Sequence, residues 1–248
     1  MSQLKLFLLA LSFYTRIPSP ITLDYKDLPK ATVYLPLIGW LVGGIMALCF
    51  VLADTLWSQT TAVIVAFIVG IFLTGAFHED GLADVCDGFG GGWGKARILE
   101  IMKDSVIGAY GGLGLLLIFL LKISVLSDAP VTLVPLMLLA GQSVSRLMPL
   151  CIMQRYEYAR ENNSKAAVAV YKPTRSNLVF SASSALLPLV LLPSLCWLAL
   201  LPVWLVNVGL GRYFYRHIGG YTGDCLGASQ QLAESIFYLS VSALWIYI

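Results

Sequence analysis

Apolar runs of membrane-crossing length alternate with short polar segments along this chain. The runs fall at residues 32–53, 60–77, 107–127, 131–153, 178–192, 195–210 and 232–248. A helix needs about 20 apolar residues to cross a hydrocarbon core. The fifth and sixth runs form one tract, which as a single helix would rise about 50 Å through a core of about 30 Å. Pro188 and Pro193 break it, so the pattern predicts seven spans. Residues 4–14 are apolar but too short to cross, and they end at Thr15-Arg16-Ile17-Pro18 with no small-residue cleavage site. They predict a helix lying in the interface rather than a secretory signal. No internal repeat interrupts this order, and residues 1–248 read as one integral-membrane domain.

Composition hardens the picture. The chain has 248 residues, 58% hydrophobic and 12% charged, against roughly half and a quarter in a soluble domain. Too few polar residues remain to cover a globular surface. A soluble enzyme, a disordered chain and a nucleic-acid binder are therefore excluded, and the expected surroundings are membrane lipid. Net charge is only +2, which supplies no field to attract a polyanion. The five cysteines are widely spaced with no C-x-x-C pair, so they read as packing residues rather than a disulfide framework or a zinc site.

Charge placement sets the topology. The segments before the first span, and between the second and third, fourth and fifth, and sixth and seventh, hold 4, 3, 5 and 2 of the sixteen Lys and Arg residues. The intervening turns hold none, and Lys122 and Arg146 lie inside spans. By the positive-inside rule the basic segments face the cytoplasm, with the N-terminus inside and the C-terminus periplasmic. Of the fourteen acids only Asp54 and Asp128 fall on the outer turns, so the polar machinery is expected on the cytoplasmic side.

That machinery centres on residues 78–92, His-Glu-Asp-Gly-Leu-Ala-Asp-Val-Cys-Asp-Gly-Phe-Gly-Gly-Gly. On a helix Asp80, Asp84 and Asp87 share one face at i, i+4 and i+7. Like charges so stacked repel and push up a pKa unless a cation intervenes. An all-oxygen set favours a hard ion, Mg²⁺ or Mn²⁺. Gly88, Gly90, Gly91 and Gly92 follow at once, and a freed backbone there could turn its N–H groups toward phosphate oxygens. Glu79 and His78 border the cluster. On the same side lie Lys103 and Asp104 before Gly108-Ala109-Tyr110-Gly111-Gly112, and Asp224 within Gly220-Tyr221-Thr222-Gly223-Asp224-Cys225. Arg146 lies about seven residues inside a span, beside Gln142, Ser143 and Ser145, where a charge must line a polar cavity or find a partner. Lys122, near the outer end of its span, is expected to snorkel.

These segments, with the early Thr-Arg-Ile-Pro, resemble the cobalamin synthase (adenosylcobinamide-GDP ribazoletransferase) family in order, length and hydropathy. Val106 stands where a basic residue is expected to be common. The resemblance implies a Mg²⁺-dependent phosphoryl transfer at the inner membrane. The ribose 3′-hydroxyl of α-ribazole or its 5′-phosphate attacks adenosylcobinamide-GDP, GMP leaves, and adenosylcobalamin or its 5′-phosphate forms. Asp80, Asp84 and Asp87 would hold the metal. Glu79 or Asp104 would take the proton. The Gly88–Gly92 backbone, Lys103 and Arg146 would stabilise the leaving group, with His78 and Asp224 beside the phosphates. A homo-oligomer is compatible with the sequence, which fixes no stoichiometry.

Two other readings compete. A CDP-alcohol phosphotransferase also sets Asp-rich helices at the interface, but its fuller Asp-Gly-x-x-Ala-Arg pattern is absent, since Ala83 is followed by Asp84. A cation transporter would place acids near the bilayer midplane, whereas the acids here are expected at the boundary.

Overall fold

In the computed structural model residues 2–160 and 172–247 are described. Lys165, one of the basic residues counted above, and Ile248, the end of the seventh expected span, lie outside them. The described residues are helical apart from turns and one isolated parallel bridge, Tyr158 to Tyr221.

The chain opens with α1 (Gln3–Tyr14), capped by Ser2, and passes through short helical turns to α2 (Leu35–Asp54). Then come α3 (Gln59–Thr74), α4 (Phe77–Gly91), α5 (Lys95–Ile101) and α6 (Ala109–Asp128). The remaining helices are α7 (Val134–Ser145), α8 (Met148–Arg155), α9 (Arg175–Leu186), α10 (Leu200–Ile218) and α11 (Gly223–Trp245). Every expected span is thus helical. Among the described residues four helical stretches are long and apolar enough to cross a membrane, or five when α3 is counted together with the bent α4. The last helix, α11, has the length for a crossing, but Gln230, Gln231, Glu234 and its serines dilute its hydropathy. The stretch Arg175–Leu191 is shorter than a full crossing.

Burial sorts centre from rim. The window through Val134–Arg155 is 83% buried inside the protein, whereas that of Ala109–Asp128 is 17% buried. The latter turns Leu113, Leu116, Leu117 and Leu120 outward, as a lipid-facing helix should. With α7, α11 forms the centre, its Ala228, Ala233, Phe237 and Val241 fully enclosed. Against α7 lies α2, at a distance only small residues allow. A methyl at Gly39 would come within 2.3 Å of the Gln142 carbonyl, and one at Gly43 within 2.8 Å of that of Leu138, the small-xxx-small contact of membrane helices.

The break after α3 positions the site. Gly75 (φ 68°) and Ala76 (φ 58°) are both left-handed, and α4 leaves at 91° to α3. Such a conformation is strained at an alanine. It turns the charged helix out of the crossing direction and along the end of the bundle. The Thr15-Arg16 turn locks the break, with Arg16 N–H donating to the Leu73 carbonyl at 2.7 Å. At the opposite end, the Gln59 amide donates to the carbonyls of Leu126 and Ala129, at 2.8 and 2.7 Å, tying together two of the turns that lack basic residues.

Two expectations about buried charge change. Lys122 does not snorkel: it is 1% exposed, pairs with Glu234 at 3.2 Å and donates to Gln231 at 2.7 Å. Snorkelling needs a route for the ammonium to water, and here Phe67 and Phe119 flank it while α11 supplies the counter-charge. Nor are all the acids at the boundary, because Glu234 is buried midway along α11.

Candidate active site

At the end of the bundle where α4 lies, the expected carboxylates meet partners that the sequence pattern did not name. Asp80 and Asp84 are one turn apart on α4, and Asp224 faces them from the first turn of α11. The two helices touch closely, since a methyl on Gly81 would lie 2.9 Å from the Asp224 carbonyl. Half-buried Asp84 has its pKa pushed up to about 7, first by loss of water and then by the charges of Asp224 and Asp80. Burial also raises Asp224, against the lowering influence of Arg160.

Arg160 was seen in the sequence only as a contributor to topology. Its guanidinium donates to Asp224 at 3.0 Å and to the Met102 carbonyl at 3.4 Å. What places it is a backbone clamp. Ala159 N–H donates to the Tyr221 carbonyl at 2.8 Å, and Tyr221 N–H to that of Glu157 at 3.0 Å. Only glycine fits at position 220, where a Cβ would stand 2.1 Å from the Glu157 oxygen. Thr222 adds an N-cap on Cys225 and donates to Asp224 at 3.2 Å. No spacing rule reaches across the 64 residues from Arg160 to Asp224, and the closest available signal was the glycine cluster at 219–223.

Asp87 is placed differently from the expected triad. Its two oxygens accept from the N–H groups of Gly108 and Gly111, at 2.7 and 2.9 Å. It therefore caps the start of α6, a role in which its lone pairs satisfy orphan helix donors. The charge of Asp224 acts on Asp84 more strongly than that of Asp87 does.

The glycines also differ. Gly88, Gly90 and Gly91 lie inside α4, and Gly92 caps it with its N–H donating to the Gly88 carbonyl. Their amides follow the helix axis rather than forming an open cradle. Gly88 and Gly90 leave room for Met102 and the Tyr110 ring, which a Cβ would strike at 2.4 and 2.7 Å.

Glu79 and Arg146 belong to the interior. Glu79 accepts from Gln231 at 3.0 Å, and Arg146 donates to the backbone and side-chain oxygens of Gln142. Together with Lys122, Glu234 and Gln230 they form a buried network that ties α4, α6, α7 and α11 together. Lys103 and Asp104 stay exposed on the turn after α5, the turn whose Met102 carbonyl Arg160 reaches. His78 is buried and lines a cavity of about 460 Å³, together with largely aromatic and aliphatic side chains of α1, residues 24–35, α8 and the start of α11.

Among the described residues no three His, Cys, Asp or Glu side chains are gathered tightly enough to hold a metal by themselves. Two carboxylates on one helix face with a third opposite still suit a hard cation that completes its shell with water and phosphate oxygens. Burial is the larger cause of the raised pKa of Asp84, and the remainder, repulsion from Asp224 and Asp80, is what such a cation would relieve.

Fold and site together define a polytopic helical membrane protein with an acidic, arginine-bearing site at one end of the bundle. The family model for Cobalamin-5-phosphate synthase matches residues 6–242, and the chain belongs to that family. It is 43% identical to the adenosylcobinamide-GDP ribazoletransferase of Shewanella amazonensis, over 98% of this chain and 96% of the relative. Enzymes of the same name from Shewanella frigidimarina and Shewanella woodyi are 40% and 42% identical, covering 98% and 96% of this chain and 95% of each relative. No solved structure matches the chain.

Proposed function

We propose that this protein joins adenosylcobinamide-GDP to α-ribazole or its 5′-phosphate, releasing GMP and forming adenosylcobalamin or its 5′-phosphate. One observation carries the reading: Asp80, Asp84, Asp224 and Arg160 converge at one end of a family member's bundle. In the reaction the ribose 3′-oxygen bonds to the phosphorus that bears the cobinamide arm. The bond from that phosphorus to GMP breaks, and the hydroxyl proton passes to a base.

Asp80, Asp84 and Asp224 would hold Mg²⁺, which when bound neutralises charge on the transferring phosphoryl oxygens. Arg160, oriented by Asp224, aims a forked cation into the same space for the diphosphate. Exposed Lys103 adds a second cation. Glu79 accepts from Gln231 through one oxygen within the interior network, whereas Asp104 is exposed at the site end, and Asp104 takes the role of proton acceptor.

The inner membrane is the proposed location, with seven crossings, a cytoplasmic site and a periplasmic C-terminus. The basic-free turns tied through Gln59 support this sidedness. Both ends of α1 contact the site end of the bundle, Gln3 at Tyr34 and Tyr14 at Phe77, which supports an interfacial course.

The test is incubation of purified protein with adenosylcobinamide-GDP and α-ribazole, with and without Mg²⁺. GMP release that needs both the acceptor and the metal is expected. Release of CMP from a CDP-alcohol, with none of GMP, would replace this reading with the phosphotransferase one.

A further inference from the structure

We propose that the aromatic cavity beside the acids receives the base of the acceptor nucleoside, a flat bicyclic heteroaromatic of the benzimidazole type. This assignment rests on the transferase reading and adds to it where one of the two substrates sits.

Size selects the occupant first. About 460 Å³ lies within the range of small-molecule sites. A two-ring base with its sugar fits such a volume. A corrin ring with its peripheral amides does not, so the corrin of the donor must lie outside.

The walls select it next. Phe13, Tyr14 and Phe77 meet edge to face, with centroids 4.9 to 5.6 Å apart. Across the cavity Tyr158 and Tyr221 meet at 5.7 Å and 79°. Aromatic walls set at steep angles to one another offer a planar ring both faces and edges. Among mainly aromatic and aliphatic side chains, His78 lines the cavity together with Asp24, Lys26 and Thr32, and its imidazole N–H is a donor for the unglycosylated ring nitrogen of a benzimidazole.

Connectivity completes the argument. At the start of α11 the cavity residues Tyr221 and Gly223 enclose Thr222 and lead into Asp224. The cavity wall thus passes at Gly223 directly into Asp224. A base seated inside delivers its ribose toward the acids.

The experiment uses full-length protein in lipid nanodiscs, with Met153→Trp and Leu28→Trp each filling the cavity from a different wall. At saturating adenosylcobinamide-GDP the KM for α-ribazole is expected to rise about tenfold or more, while the KM for the donor stays within about twofold. A raised donor KM with an unmoved α-ribazole KM would assign the cavity to the donor. Both constants unmoved would leave it to a lipid chain. Either outcome overturns the proposal.

Photolabelling of the wild type with an azidobenzimidazole riboside does not depend on the variants folding. Label on the peptides carrying Phe13, Tyr25 or Tyr158, suppressed by α-ribazole, is expected, and label confined elsewhere overturns the assignment. Wild-type protein that releases no GMP defeats the transferase reading itself. Normal turnover with an unmoved α-ribazole KM defeats only the cavity assignment.

Discussion

Helices α4 and α11 each contribute to two polar clusters that obey opposite rules. Toward the end of the bundle, Asp80, Asp84 and Asp224 share one ion pair among the described residues, that of Asp224 with Arg160. In the interior, two acids, Glu79 and Glu234, accompany two cations, Lys122 and Arg146, with an ion pair between Lys122 and Glu234 and Gln142, Gln230 and Gln231 hydrogen-bonded among them. The interior set is charge-balanced and shut off from water, as buried ions must be. The end set is left with excess negative charge and partial access to water. Imbalance costs stability in the free protein, and a positively charged ligand can relieve it. Matched charge holds helices together, whereas unmatched charge is available for work on a substrate.

The most damaging test of that contrast is Asp84→Asn. It removes one charge from the unbalanced set and should lower GMP release by about a thousandfold, with membrane insertion and protein yield unchanged. Near-normal turnover in Mg²⁺ would dissolve the distinction. Next is the balanced set, where Glu234→Gln strands Lys122 without its counter-charge. The loss expected is about 3–5 kcal/mol of stability, read by thermal unfolding in detergent. Replacing both partners, Lys122→Met with Glu234→Leu, should recover most of it. If the single and double variants melt together, the pair is not what holds the helices.

Arg160→Ala comes third. It removes a charge-assisted hydrogen bond of about 1.5–3 kcal/mol, so kcat/KM should fall roughly 10- to 100-fold, with less loss for Arg160→Lys. The smallest effect is a pH dependence. Asp84 must lose its proton to bind a cation, and its pKa in the free protein is about 7. Below that pH the Mg²⁺ needed for half-maximal rate should rise up to about tenfold per pH unit. Because the folded pKa is raised, ionised Asp84 opposes folding above pH 7. Metal-free Asp84→Asn should therefore melt higher than wild type at pH 8 and no higher at pH 4.

Legibility followed the range of the forces involved. The apolar runs became helices at nearly the expected places, since length and hydropathy are local properties. Asp80 and Asp84 were readable because helical phasing is local too. Asp87 shared their face, yet its oxygens are taken by amides 21 and 24 residues further on. Phasing cannot reveal a cap given to another helix. Lys122 looked like a snorkelling lysine until α11 brought Glu234 alongside it. Arg160 was one basic residue among several until the Tyr158–Tyr221 bridge set its place.

The order of residues alone determined that the chain is built of apolar helices suited to a bilayer, roughly which stretches they occupy, and that Asp80 and Asp84 share a helix face. Each follows from a property of a short segment, either its free energy of transfer between water and hydrocarbon or its helical phasing. Which charges cancel and which remain uncompensated was decided only by the packing of α4, α7 and α11. Coulomb interactions depend on separation in space, and separation along the chain does not specify it.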